Sequence, residues 1–233
     1  VFDEAGENVL FYVASRGHHA EIGGKTPGSM PPDSRHIDEE GVLIDNFQLV
    51  DQGRIREKEL EELFTTAPYP TRNFHHNLGD LKAQIAANEK GAQELRKMVG
   101  HFGLDVVLAY MKHVQDNAEE SVRRVIENLS DGEFEYQMDF GAKIKVAITV
   151  HPETRSATID FTGTSPQQDN NFNITHAVAV AAVLYTFRLM VDSDIPLNAG
   201  CLKPLNIIVP EDCMLRPKYP AAVVAGNVET SQA

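Results

Sequence analysis

A change in the spacing of apolar residues at Asp131 and Gly132 constrains the fold more than any other feature of the chain. Before this point apolar residues recur every three or four positions, which is typical of amphipathic helices. Along residues 134–140 they alternate with polar residues, which predicts a strand with one buried face. Alternating segments at 144–150 and 157–161 flank a polar loop and predict an antiparallel hairpin. Because helices and strands are segregated, the predicted class is α+β with an antiparallel β meander.

Two long helices are predicted upstream of the meander. Apolar side chains follow one helical stripe over residues 78–92 and a second over residues 107–129. Asn77 is a candidate N-cap of the first helix, and glycines near residue 100 provide a turn. The two helices are therefore predicted to pair as an antiparallel helical hairpin. Residues 176–191 are strongly apolar but too short for a membrane span, which predicts a buried core helix.

The chain is predicted to have three parts: a loop-rich part at 1–70, the helical hairpin at 71–130, and a β-rich part with the buried helix at 131–233. In the first part, residues 9–14 predict a strand buried on both faces, residues 38–51 an edge strand, and residues 56–65 a short helix. The chain begins without methionine and runs almost directly into the first of these strands. This start is typical of an internal cut, so we expect a fragment of a larger domain.

The densest cluster of reactive side chains is Arg-Gly-His-His-Ala-Glu-Ile-Gly-Gly at residues 16–24, here named the histidine loop. Its glycines allow the backbone to turn or to approach a ligand closely. Imidazole and carboxylate are ligands for first-row divalent metals and also the usual acid/base groups near neutral pH. The loop is therefore a candidate metal or acid/base site. The alternative is that one histidine packs and donates to a carbonyl while the other is solvated.

A second polar cluster precedes the apolar helix at residues 162–175, here named the asparagine loop. The exposed N–H groups and partial positive charge of a helix start suit an anionic group. Asn171 and Asn173 are therefore candidate substrate-binding residues. The alternative is that they serve only as caps, since Asn is an expected residue at a helix start.

Composition excludes several classes of protein. The formal net charge is −13, and no run of Lys or Arg exceeds two residues, which argues against non-specific nucleic-acid binding. Cys201 and Cys213 occur without a secretory signal or a CxxC pair, so buried free thiols are expected rather than a disulfide framework or a zinc site. We expect a cytoplasmic protein that contacts no membrane.

Further motifs extend the pattern along the chain. Thr-Pro-Gly-Ser-Met-Pro-Pro follows the histidine loop at residues 26–32, and Asn-Leu-Gly-Asp-Leu-Lys-Ala-Gln-Ile-Ala-Ala-Asn occupies residues 77–88. Others lie at 160–167, 194–200 and 220–232. Together with the histidine loop, they resemble the hydantoinase B/oxoprolinase family over essentially the whole chain. That family includes B subunits of ATP-dependent N-methylhydantoinases, the carboxyl-terminal half of 5-oxoprolinases, and large subunits of acetone and acetophenone carboxylases.

The resemblance implies part of an ATP-dependent enzyme that opens a cyclic amide, 5-oxoproline or a hydantoin. A hydantoinase A-like subunit or domain is expected to bind ATP and to activate the carbonyl oxygen by phosphorylation. The absence of a Gly-x-x-x-x-Gly-Lys-Ser/Thr motif agrees with ATP being bound by that partner. Two alternatives stay open: an ATP-dependent ketone carboxylase subunit, and a non-catalytic scaffold that docks the partner.

The resemblance also implies a divalent metal, for which manganese, iron, cobalt and zinc are all compatible. In the carboxylase branch, an upstream His and Asp share a metal with the histidine that aligns with His18. We therefore expect His18 to be a metal ligand, and His19 and Glu21 to be ligands or to orient its imidazole. Arg16 is expected to bind a substrate carboxylate, with an ion pair that holds the loop as the alternative. Because family members are usually much longer, the isolated fragment is expected to be inactive.

Overall fold

The computed structural model describes all 233 residues, which form two compact units. The first unit contains Val1–Ser29 and Gly41–Tyr110, and the second contains Met30–Glu40 and Met111–Ala233. Neither unit ends at residue 70 or at residue 130, where the three-part organisation placed its boundaries.

The first unit is helical and irregular. Its regular elements are β1 (Val50–Asp51), β2 (Arg54–Ile55), α1 (Glu57–Thr65), α2 (Phe74–Phe102) and the start of α3 (Leu104–Ile126). The short helix expected at 56–65 is confirmed as α1. The edge strand expected at 38–51 is reduced to β1, which pairs with β2 through two residues. Val42 is buried with α1 and α2 side chains although it lies outside any strand, so its apolar character reflects packing and not a β ladder.

The strand predicted at residues 9–14 is wrong. This segment forms only one isolated bridge, between Phe2 and Val9, and no strand lies beside the rest of it. Phe11 is buried, but Tyr12 is 92% exposed. A continuous apolar run therefore does not mean burial on both faces here, because only residues 9–11 have backbone partners, at residues 1 and 2.

The first long helix, α2, is confirmed, but its start differs from the prediction. The N-cap is Asn73, whose side-chain oxygen accepts a hydrogen bond from the N–H of His76 at 3.3 Å. Asn77 lies inside the first turn and is buried. Its side chain is therefore not at the helix end, and its contacts lie elsewhere, in the histidine loop.

The second long helix, α3, follows α2 after Gly103, whose φ of +85° favours glycine. The two helices and their glycine connection are as predicted, but their apolar stripes do not share one core. Phe74 and Leu78 of α2 pack with α1 in the first unit. Ala118 and Val122 of α3 pack in the main core of the second unit. These parts of the two stripes therefore lie in two separate cores.

The second unit contains a four-stranded sheet in the order β3-β4-β5-β6 and the helix α4 (His176–Met190). The strands are β3 (Gly132–Gln137), β4 (Lys143–His151), β5 (Ser156–Asp160) and β6 (Leu205–Ile208). The first three strands are antiparallel, which confirms the meander and the α+β class. The addition of β6 parallel to β5 makes the sheet mixed, which the alternation alone did not predict.

One face of this sheet is apolar and supports the core of the second unit. Ile148 of β4 lies opposite Ile159 of β5, which lies opposite Ile207 of β6. This face packs with α3 and with Val183 and Phe187 of α4, so the apolar helix is confirmed as a core element.

The edge strand β3 leaves part of the apolar face uncovered. Phe134 is 62% exposed and Tyr136 is 44% exposed, whereas Met138 is buried. Both exposed rings line an apolar cavity of about 270 Å³ that is also lined by Val183 of α4. The alternation of apolar and polar residues therefore predicted which face of β3 is apolar. It did not predict which residues of that face are buried.

The two cysteines are free and buried, as expected. Burial raises the pKa of the Cys213 thiol above its ordinary value, which suits an inert packed side chain. None of the helices combines the length and the apolar character needed to cross a bilayer.

Candidate functional site

The histidine loop is held close to the segment that leads into α2, within the first unit. The N–H of Gly24 donates to the carbonyl of Tyr69 at 3.0 Å. Gly23 has a φ of +90°, and a Cβ at this position would lie 2.3 Å from the same carbonyl oxygen. Only glycine fits such an approach, so the packing of two backbones requires Gly23, and the φ of +91° at Gly24 also favours glycine.

Glu21 is the anchor of the loop and not an open ligand. Its carboxylate accepts hydrogen bonds from the N–H of Gly23 at 2.6 Å, the N–H of Arg72 at 3.1 Å and the Thr71 hydroxyl at 3.1 Å. The Arg72 guanidinium donates to it at 2.7 Å and also to the carbonyl of Gly24 at 2.9 Å. Both carboxylate oxygens are therefore engaged within the protein.

These contacts also fix the charge of Glu21. Partial burial alone would raise the pKa of this carboxyl. The hydrogen bonds from Arg72, Gly23 and Thr71 outweigh that effect and lower the pKa below its ordinary value. Glu21 is consequently ionised near neutral pH and bound to Arg72, which argues for a structural anchor over a metal ligand.

Asn77 attaches the same loop through its backbone. Its amide Nδ2 donates to the carbonyl of Glu21 at 2.6 Å, while its Oδ1 lies 2.6 Å from the Thr71 hydroxyl. The residue is almost fully buried, so the loss of its amide would leave polar groups unpaired. The first turn of α2 thus holds the loop from one side.

His19 is oriented by Asp80, which lies further along α2. Nδ1 of His19 and Oδ2 of Asp80 are 2.8 Å apart. Because a carboxylate accepts hydrogen bonds, this contact fits a ring that carries a proton on Nδ1, and in the neutral form of that ring Nε2 keeps its lone pair. The His19 side chain is 11% exposed, which means that the ring is largely enclosed by protein.

His18 and Arg16 face solvent. Both residues are exposed and make no hydrogen bond or ion pair in the structure. The alternative that Arg16 holds the loop by an ion pair is therefore not found. Its expected binding of a substrate carboxylate stays a prediction.

The metal site expected from His18, His19 and Glu21 is not assembled from these three residues alone. No group of three or more His, Cys, Asp or Glu side chains in the structure is arranged to hold a metal ion. The donor set fits a divalent metal only in part: the imidazoles of His18 and His19 have open nitrogens, whereas the carboxylate of Glu21 is taken by Arg72.

The asparagine loop uses its polar groups internally, in the second unit. Nδ2 of Asn173 lies 3.0 Å from the carbonyl of Gln168, 2.8 Å from that of Asn170 and 3.1 Å from that of Ala222. Its Oδ1 accepts from the N–H of Gln168 at 2.8 Å. Because Asn173 is fully buried, its amide group is not open to a substrate.

Asn171 is placed in the same way. Its Nδ2 donates to the carbonyl of Pro31 at 2.9 Å and lies 3.2 Å from the Ser34 hydroxyl, and the residue is buried. Neither asparagine caps α4, whose N-cap is Thr175. Both candidates for substrate binding are therefore corrected to residues that stabilise loops, because the surrounding carbonyl groups take their amide donors.

A buried carboxylate escaped the sequence analysis. Both oxygens of Glu40 lie 3.0 Å from the N–H of Val223, and Oε1 also accepts from the N–H of Val224 at 3.0 Å and the Ser34 hydroxyl at 2.8 Å. Nothing in its neighbourhood in the sequence distinguished it from the other acidic residues. Arg72 and Asp80 were missed as well, although Asp80 lies within the motif at 77–88, for which no contact with the histidine loop was predicted.

A family model and the relatives of known name point to the same family. The family model described as Hydantoinase B/oxoprolinase matches residues 1–233. A 5-oxoprolinase of Dictyostelium discoideum is 43% identical over 96% of the chain, and 5-oxoprolinase 1 of Arabidopsis thaliana is 44% identical over all of it. The chain spans only 18% and 20% of the length of these two relatives.

Two solved structures show the same fold. An ATP-dependent caprolactamase from Pseudomonas jessenii superposes with a TM-score of 0.72 at 23% identity, over 89% of this chain and 36% of the other. A nucleotide-free acetone carboxylase superposes with a TM-score of 0.75 at 12% identity, over 91% of this chain and 30% of the other. Both comparisons match this chain to about a third of a larger polypeptide.

Proposed function

Since the chain belongs to the hydantoinase B/oxoprolinase family, we propose that it is part of an ATP-dependent enzyme that opens a cyclic amide such as 5-oxoproline. The relatives that support this proposal are named 5-oxoprolinases and match the chain over 96% and 100% of its length. The observation that supports the histidine loop as the reaction site is that its carboxylate is bound by Arg72 while two imidazoles keep an open nitrogen.

The proposed reaction needs a better leaving group than an amide provides. Phosphorylation of the carbonyl oxygen by a hydantoinase A-like partner that binds ATP makes the ring carbon easier for water to attack. A divalent metal, when bound, supplies an activated water near neutral pH. His18 would hold that metal, because its imidazole is exposed and has no partner within the protein.

The other residues of the loop serve position and recognition. Glu21 and Arg72 keep the backbone of the loop against the segment before α2, so that His18 and His19 are presented from a fixed base. The exposed guanidinium of Arg16 binds the substrate carboxylate as a planar fork. 5-Oxoproline has such a carboxylate, whereas hydantoin and acetone do not, so Arg16 favours 5-oxoproline among the three.

The test uses the complete protein with its A-type partner. ATP-dependent turnover should be found with 5-oxoproline and be weaker or absent with hydantoin and acetone. The His18→Ala variant should lose bound metal, measured by elemental analysis. It should also lose about 100-fold in turnover, the upper end of what removal of a residue that supports a metal ligand costs. Turnover of acetone alone would contradict the proposed function.

A matched control separates a metal ligand from a surface histidine. His76 is also exposed, and its side chain has no hydrogen bond in the structure. The His76→Ala variant should keep both metal content and turnover. Unchanged metal content in the His18→Ala variant would contradict the ligand assignment even if its turnover fell.

A further inference from the structure

The contact between His19 and Asp80 leaves one ring nitrogen of His19 without a partner. The ring of His19 is 11% exposed, and its Nδ1 lies 2.8 Å from the carboxylate of Asp80. Its other nitrogen, Nε2, has no hydrogen-bond partner, yet it is not among the polar atoms sealed away from solvent. A mostly enclosed ring therefore presents one open nitrogen at the surface of the loop.

We propose that Asp80 is a positioning residue that fixes His19 in the Nδ1–H form, so that Nε2 accepts a hydrogen bond from the N–H of a bound cyclic amide. This inference rests on the proposed function. The carboxylate accepts from Nδ1–H and holds the proton on that nitrogen, which leaves Nε2 as a lone-pair acceptor. The role of Asp80 is to choose between two ring forms that would otherwise present opposite hydrogen-bonding groups.

The surroundings make this acceptor directional. Asp80 lies on the 29-residue helix α2, and the backbone on the other side of His19 is tied down by Asn77, which donates to the carbonyl of Glu21 at 2.6 Å. Arg72 fixes the next part of the loop through Glu21 and Gly24. Because the ring is held on one side by a carboxylate and along its backbone by α2, Nε2 has a defined direction.

The candidate substrates differ in whether they carry an N–H that Nε2 of His19 could accept. A lactam or hydantoin carries a ring N–H, which is a donor, whereas a ketone carries none. A neutral acceptor at Nε2 therefore favours a cyclic amide with a free N–H over its N-methyl analogue and over a ketone. A site built to pair a substrate N–H discriminates strongly, since the analogue that lacks the donor leaves the acceptor unpaired.

The first experiment measures the ring form directly and needs no substrate. The complete protein, with ¹⁵N-labelled histidine, is examined by NMR at a pH where His19 is neutral, and His19→Gln identifies the signal. The unaltered protein should show Nδ1 protonated and Nε2 bare. In the Asp80→Asn variant, the amide can donate to Nδ1, so the ring should shift toward the Nε2–H form. A bare Nδ1 in the unaltered protein, or the same ring form in both proteins, would overturn the proposal.

The second experiment measures specificity with the complete enzyme, its partner and ATP. Asp80→Asn should lower kcat/KM about tenfold for a cyclic amide that has a free N–H, which is the size of one lost hydrogen bond. It should leave kcat/KM for the N-methyl analogue within about twofold, and Asp80→Glu should recover part of the loss. An equal loss for both substrates would indicate a purely structural role and overturn the proposal.

A control variant removes a similar carboxylate elsewhere. Asp116 lies on α3 and pairs with Lys112, and Asp116→Asn should change neither the ring form of His19 nor the preference for a free N–H. If the unaltered enzyme does not turn over any cyclic amide, the proposed function fails and the substrate half of this inference fails with it. The NMR result judges the role of Asp80 in either case.

Discussion

The histidine loop and the asparagine loop look alike in sequence and differ in what their polar atoms do. Both follow an apolar segment, and both concentrate side chains that can bind a ligand. In the histidine loop, His18 and Nε2 of His19 keep open nitrogens. In the asparagine loop, the amide donors of Asn171 and Asn173 are taken by carbonyl groups of the same unit.

This difference, and not the residue types, makes the histidine loop the candidate binding loop of the two. A buried amide with all its donors paired stabilises the loop and has nothing left to offer a substrate. An imidazole that is fixed on one side and open on the other can bind without first breaking a contact. Substitutions should therefore act on stability in the asparagine loop and on activity in the histidine loop.

The largest expected effect on stability is that of Asn173→Ala. Its amide contacts three carbonyl groups and one backbone N–H, and removing it leaves these buried groups without a partner. We expect a loss of about 3 kcal/mol in the free energy of unfolding, since each buried unsatisfied group costs roughly 1 to 3 kcal/mol. Urea denaturation followed by circular dichroism measures this loss.

Asn206 provides the matched control. It is exposed on β6, and its only side-chain hydrogen bond is long, at 3.5 Å to the Thr158 hydroxyl. Asn206→Ala should change the free energy of unfolding by less than about 0.5 kcal/mol. If Asn173→Ala is equally mild but reduces turnover, Asn173 binds substrate after all and the contrast between the two loops fails.

The sequence predicted the regular elements better than it predicted these roles. The spacing of apolar residues located α1, α2, α3, α4 and the meander, because this signal depends on residues that are close in the chain. The partners of Glu21 and His19 are 51 and 61 positions away, at Arg72 and Asp80. Whether a carboxylate is locked or an imidazole is open depends on such distant contacts, and no local pattern reports them.

The failed strand at residues 9–14 has the same cause. Its apolar residues match the pattern of a buried strand, but burial of a strand requires a neighbour that pairs its whole backbone. Here only residues 9–11 are paired, with residues 1 and 2. The same holds for the helices α2 and α3. The apolar stripe of each helix was predicted, but the elements that pack on these stripes were not.

A smaller effect on stability is expected for Glu21→Gln. The charge on Glu21 strengthens its hydrogen bonds to Arg72 and Gly23, so its loss should cost about 1 to 2 kcal/mol at pH 7. The pKa of Glu21 is lowered in the folded protein. Its stabilisation is therefore complete above the ordinary pKa of 4.5 and disappears as the pH falls below that value through the lowered pKa.

Urea denaturation at several pH values tests this dependence. The difference between the unaltered protein and Glu21→Gln should be constant near neutral pH and shrink below pH 4.5. Glu59→Gln, which removes a carboxylate in an exposed pair with Arg56, serves as the control and should have the smaller effect. A difference that grows toward acidic pH would show that Glu21 is not held ionised by its neighbours.

The smallest effect on stability should come from His18→Ala, the variant with the largest expected effect on metal content. His18 is exposed and has no hydrogen-bond partner, so its removal breaks no contact in the metal-free protein. The free energy of unfolding without metal should change by less than about 0.5 kcal/mol. Added divalent metal should stabilise the complete unaltered protein, because it binds the folded state, and should stabilise the variant less. A large loss of stability without metal would mean that His18 is another anchor, like Glu21, and that the histidine loop resembles the asparagine loop in structure as well as in sequence.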